Sequence, residues 1–136
     1  MERMKIVIDG EHFSTIEEFY DEMDKLLTKN LDWKTGHNLD AFNDLLRGGF
    51  GVHKYGQPLD ILWIHADKSR NDLGYHATEL YLQKILEKCH PSNRNRISEK
   101  ITACKNHQGP TLFDQIIEII QDTDDSGHDC TISFEN

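Results

Sequence analysis

Three short runs rich in β-formers lie far apart in this chain, with too much sequence between them for hairpins. They are Lys5-Ile6-Val7-Ile8, Leu59-Asp60-Ile61-Leu62-Trp63-Ile64-His65 and Cys130-Thr131-Ile132-Ser133-Phe134. Antiparallel neighbours close through a tight turn, whereas parallel neighbours need a crossover of about a dozen residues or more, usually helical. The sequence between the runs carries helical periodicity. The expectation is therefore an α/β fold, a small three-stranded parallel sheet packed with helices, whose strand order stays open.

The first crossover begins at Ser14-Thr15-Ile16-Glu17, which fits a capping box. Ile16, Phe19, Met23, Leu26 and Leu27 recur behind it at helical spacing, predicting a helix from about Thr15 to Lys29. Glu18, Asp21, Glu22 and Lys25 then face away from the core. A second helix is capped by Asn38 and ended by Gly48-Gly49. Its buried stripe is Leu39, Phe42, Leu45 and Leu46, which leaves Asp40, Asn43, Asp44 and Arg47 on the other side. Residues 67–108 predict two more helices. One carries Tyr81, Leu82, Ile85, Leu86 and Cys89 and stops before Pro91; the other carries Ile97, Ile101 and Cys104. After the break at Gly109-Pro110, Thr111 caps a last helix. Phe113, Ile116, Ile117 and Ile120 face inward there, and Asp114, Glu118 and Asp122 lie on the polar side. No repeat or low-complexity tract interrupts the 136 residues, so a single domain is expected.

Charge narrows the function classes. The net charge is −9, and phosphate binding requires a basic footprint, so a nucleic acid is not the expected ligand. The charge is also uneven. Residues 67–105 hold eight Lys/Arg against five Asp/Glu, while the rest of the chain holds seven against nineteen. Two acidic ends thus flank a mildly basic segment, a field that favours encounter with a basic protein. The run Ile61-Leu62-Trp63-Ile64 is too short to span a bilayer. The opening residues lack the apolar core of a signal peptide, and three cysteines are too few for a disulfide framework. These features predict a soluble protein of the reducing cytoplasm, monomeric when free.

Enzyme signatures are absent. Gly48-Gly49-Phe50-Gly51 lacks the Lys and Ser/Thr of a phosphate loop, and neither a nucleophile elbow nor an H-E-x-x-H helix occurs. His37, His53, His65, His76 and His128 are scattered singly and read as surface or locally bonded side chains. Cys89-His90 and Cys104-x-x-His107 have the residue types of a zinc site. Both cysteines also fit apolar helical stripes, however, so no metal and no cofactor are expected. Lys68-Ser69-Arg70 and Arg94-Asn95-Arg96 read as a solvated basic face that pairs with the acidic remainder. Asp40 and Asp44 remain, two carboxylates one helical turn apart that repel each other by about 0.2–0.5 kcal/mol. Asp40 is helped by the helix dipole; Asp44 is not. Such a pair is either a solvated face or a seat for a cationic partner.

The stretch IDGEHFSTIEEFYDEM followed by GHNLDAFNDLL resembles the barstar family of ribonuclease inhibitors. The similarity lies in a strand, a Gly turn, a capped helix and the motif Gly36-His37-Asn38-Leu39-Asp40-Ala41, with Asp44 at the second acidic position. Gly127, Asp129, Thr131 and Ile132 match the family's closing turn and strand. The resemblance covers about the first 66 residues and the last 30. It implies a cytoplasmic, non-enzymatic inhibitor that blocks a basic ribonuclease, its helix carboxylates standing in for RNA phosphate. An acid on the last helix, here Asp122, joins that contact, and the implied partner-binding set is Lys34, Asn38, Asp40, Asn43, Asp44, Arg47 and Asp122. The chain departs from the pattern in two ways. Lys34, Thr35 and Asn43 stand where the family has aromatic residues, although Trp33 is nearby. Residues 67–108 form a helical insertion relative to the family's compact connection. A fold that binds some other basic protein is the alternative reading.

Overall fold

The computed structural model describes residues 2–28, 36–123 and 127–136. Among these the chain runs β1 (Met4–Asp9), α1 (Ile16–Leu27), α2 (Leu39–Arg47), β2 (Leu59–Ile64), α3 (Ala66–Asp72), α4 (Tyr75–Lys88), α5 (Arg94–Lys105), α6 (Leu112–Gln121) and β3 (Cys130–Phe134). Short 3-10 turns follow β1 and precede α5. The three strands form one parallel sheet with β2 in the centre, flanked by β1 and β3. Met4 pairs with Leu59 and Leu59 with Cys130, so the strands start level.

Strand alternation decides which face the helices cover. Ile6, Ile8, Leu59, Ile61, Trp63 and Cys130 are buried. On the opposite face Val7 is exposed, and Arg3 bridges Asp60 at 2.6 Å and Asp129 at 3.0 Å. The main core therefore lies on one side of the sheet, under α1, α2 and α6. Trp63 sits at its centre, stacked on Phe19 at 5.7 Å between ring centroids and edge-on to Phe13 at 6.0 Å. Its indole N–H donates to Ser69 Oγ at 3.0 Å, satisfying the one polar group the ring buries.

Three sequence expectations shift. The α1 cap is Thr15 instead of Ser14: its hydroxyl accepts from the Glu18 amide at 3.2 Å, and Glu18 returns to the Ser14 amide at 3.1 Å. That frees Glu17 for another role. Glu22, expected to face away, is buried because His12 meets its carboxylate at 2.7 Å. Residues 67–108 hold three helices where two were expected. His65 leaves β2 with a left-handed backbone, φ 53°, and opens α3. Gly10 passes close to this turn, so close that a Cβ there would lie 2.5 Å from the His65 carbonyl. The short α3 is then nailed to that turn by Lys68, whose ammonium donates to the carbonyls of Gly10 and Phe13 and meets Asp72 at 2.6 Å.

α4 and α5 form an antiparallel pair with a small core of their own, Leu82, Ile97, Ile101 and Cys104. Thr78 joins this pair to the main body, accepting from the Leu112 amide at 2.8 Å and donating to the Gly74 carbonyl. α6 opens with a full capping box between Thr111 and Asp114. No helix among the described residues is long and apolar enough to cross a membrane.

Candidate functional site

The acidic face is built on α2, and both ends of that helix are fixed. Asn38 has the extended backbone of an N-cap, and its side chain accepts from the Ala41 amide at 2.7 Å. At the other end Gly48 has φ 88°, and a Cβ there would lie 2.2 Å from the Lys54 carbonyl, so only glycine fits. The buried His53 ring reaches the Leu46 carbonyl at 3.2 Å. Phe42, Leu45 and Leu46 are buried, which fixes the rotation of the helix. Asp40 and Asp44 are consequently exposed one turn apart, with Asn43 and Arg47 half-exposed beside them. Arg47 meets Asp44 at 2.9 Å, so the chain tempers the second acid from its C-terminal side.

Two neighbours border this face. Asp122 caps the C-terminus of α6 and is exposed. α6 packs on α2, and the buried His128 imidazole lies between their ends, near enough to feel both Arg47 and Asp122. Burial holds the His128 pKa below its ordinary value. Asp122 thus stands at the end of a helix that packs on α2. Asp114 stands at the opposite end of α6, its carboxylate spent on the Thr111 amide at 3.0 Å.

On the N-terminal side stands His37, the residue before the cap. Its Nδ1 meets Glu17 at 2.9 Å and its Nε2 meets Asp24 at 3.3 Å and Asp21 at 3.7 Å. Hydrogen bonding to the Glu17 carboxylate, then to Asp24, raises its pKa above the ordinary histidine value. The ring clips the start of α2 to α1 and is tilted against Tyr20 at 5.4 Å. Sequence reading had left His37 as one more isolated histidine. The missed signal was the i, i+4, i+7 acid stripe Glu17, Asp21 and Asp24 on α1.

Of the implied partner-binding residues, Asn38, Asp40, Asn43, Asp44 and Arg47 share α2, and Asp122 borders it. Lys34, with Trp33 and Thr35, lies outside the described residues. The other candidates are used locally. The Cys104 thiol donates to the Tyr75 carbonyl at 3.0 Å, and His107 stacks on Tyr75 at 4.9 Å. Cys89 turns to the Leu86 carbonyl, and His90 bonds Ser92. Arg70 lies 4.9 Å over the Phe113 ring, and Arg94 donates to the Leu86 carbonyl. Asp21, Asp24 and His37 form the one group among the described residues with ligand atoms close enough for a metal ion.

Comparison with known families now adds to this geometry. The model of the family described as Barstar (barnase inhibitor) matches residues 3–99. That span holds the whole of α2 and runs on through α3 and α4 into α5, leaving out α6 and β3. No curated protein matches the chain.

Proposed function

The chain belongs to the Barstar family, and from that premise we propose that it is an intracellular inhibitor of a basic ribonuclease. It acts by occlusion, with no turnover of its own. Two carboxylates, Asp40 and Asp44, stand exposed one turn apart on a helix whose ends are both fixed; that observation carries the reading. A ribonuclease must present Arg, Lys and His side chains to hold the phosphate of its substrate. Two carboxylates at fixed spacing offer those cations the charge they evolved to meet. Rigidity matters as much as charge, because little side-chain and backbone entropy remains to be lost on docking. Arg47, Asn43 and Asn38 frame the acids, and Asp122 extends the negative edge from α6.

The like-charge repulsion within α2 is then resolved by the partner. In the free protein the pair costs a few tenths of a kcal/mol. In the complex each acid faces a cation in a site from which water is excluded.

The test is inhibition of RNA cleavage by barnase and a panel of basic microbial ribonucleases. Parent protein should inhibit stoichiometrically, and Asp40→Ala and Asp44→Ala should each weaken inhibition. Full inhibition by the double variant would sink the reading. One observation favours a broader reading: Asn43, polar and half-exposed, stands between the two acids. A polar centre suits basic partners of other kinds, and binding to one of these without ribonuclease inhibition would be the outcome that selects it.

A further inference from the structure

A groove of about 560 Å³ runs between the start of α1 and the α4 helix, lined by Glu17, Tyr81, Lys84, Ile85, Lys88 and Cys89. It adjoins the acidic face at two points. Glu17, on one wall, holds His37 beside the α2 cap at 2.9 Å. Tyr81, on the other, lies within electrostatic reach of Asp40, whose charge adds to burial in raising the phenol's pKa. The groove and the N-terminus of α2 are thus linked through Glu17 and His37.

Their chemistries are complementary. α2 presents outward Asp40, Asn43, Asp44 and Arg47, and its only partly covered apolar residues are Leu39 and Ala41, so the face carries charge with little apolar surface. The groove is lined mainly by apolar surface from Tyr81, Ile85 and Cys89, with Glu17, Lys84 and Lys88 at its rim. Interfaces draw most of their binding energy from a few well-packed, desolvated anchors, Tyr prominent among them, which charge alone does not provide.

We propose that this groove is a second contact with the same basic ribonuclease, receiving an apolar side chain of the enzyme beside the seat of the α2 carboxylates. The proposal rests on the inhibitor reading and assigns α4, within the insertion, the part of an anchor. Because the rim carries both signs of charge, the groove governs how long the complex lasts and not how fast it forms.

Cys89 makes the groove testable by chemical labelling. It is half-exposed, whereas Cys104 and Cys130 are buried. Burial raises both of those thiols, Cys130 to about 12, so iodoacetamide selects Cys89. Saturation with the inhibited ribonuclease of the panel should slow Cys89 alkylation by about tenfold or more. Protein labelled there beforehand with a bulky maleimide should release the enzyme about tenfold faster with an unchanged on-rate. Tyr81→Ala, if it melts like the parent, should do the same. Equal alkylation rates with and without enzyme would overturn the groove, while weakened inhibition by Asp44→Ala in the same assay would leave the inhibitor reading standing. A protein that inhibits no enzyme of the panel loses both.

Discussion

At the scale of single residues, Asp44 is expected to separate stability from binding. It is exposed, and what holds it in the free protein is Arg47 at 2.9 Å, an i, i+3 pair at the surface. Such pairs contribute about 0–1 kcal/mol, and truncation also relieves the repulsion from Asp40. The two effects oppose each other, so Asp44→Ala should leave the melting curve within a degree or two of the parent. Binding should respond differently, since a cation of the partner is left desolvated and unpaired, at a cost of about 2–5 kcal/mol. Phe42 is the control from the inner side of the same helix. It is buried and edge-on to Phe19 at 5.3 Å, so Phe42→Ala should cost about 3–5 kcal/mol of folding stability and damage inhibition with it. Thermal melting and ribonuclease inhibition on the same two variants check both statements. An Asp44→Ala protein that inhibits like the parent would reduce the acidic face to solvated surface.

At the scale of elements, the N-terminus of α2 is held by a clip that responds to pH. Both ring nitrogens of His37 face carboxylates: Glu17 on one side, Asp21 and Asp24 on the other, with Tyr20 packed alongside. Only the doubly protonated ring donates in both directions, which is why the folded pKa is raised. A raised pKa adds stability that is fully present below the unfolded value near 6.5 and is lost as pH rises through the folded value. His128 works in the opposite sense: burial lowers its pKa, so its contribution is lost as pH falls. Comparing the parent with His37→Gln keeps His128 constant and isolates the clip. The parent's advantage in melting temperature should be largest below about pH 6.5 and shrink toward alkaline pH. A difference that does not change with pH would dispose of the clip. This element also shows what the sequence could tell. The cap at Asn38, the glycine stop and the stripe of α2 are near-neighbour signals; they read correctly, with Phe42, Leu45 and Leu46 buried and Leu39 only half-buried. The parallel sheet was likewise legible from the spacing of three β-rich runs. The short α3 was not, because its contacts are distant in sequence: the close approach of Gly10 to His65 and the reach of Lys68 across to the first turn. Glu17 was misassigned for a similar reason: two adjacent hydroxyls, Ser14 and Thr15, offered caps one residue apart, and local pattern could not choose between them. The approach of Tyr81 toward Asp40 depends on how α4 packs, which local pattern does not show.

At the scale of the whole molecule, charge and shape divide the work of association. The sequence outside residues 67–105 carries nineteen acids against seven cations, and that inner segment carries eight cations against five acids. The acidic excess therefore lies outside that segment, and α2 with the end of α6 carries part of it at Asp40, Asp44 and Asp122. On the proposed reading, a basic enzyme approaching α2 is drawn in before contact, and the draw extends over roughly one Debye length, about 10 Å at 0.1 M salt. Raising ionic strength shortens that reach without altering the contacts made after docking. The on-rate for the inhibited ribonuclease should fall steeply between low and high salt, by about tenfold or more, while the off-rate changes little. Variants should then sort into two kinds. Asp122→Asn, at the rim, should lower the on-rate and flatten its salt dependence, and filling the groove at Cys89 should raise the off-rate at every salt concentration. Stopped-flow association and chase dissociation across a salt series measure both quantities on one preparation. An on-rate that stays flat across the series would mean that the acidic ends do not steer, and the charge asymmetry of this chain would then serve solubility alone.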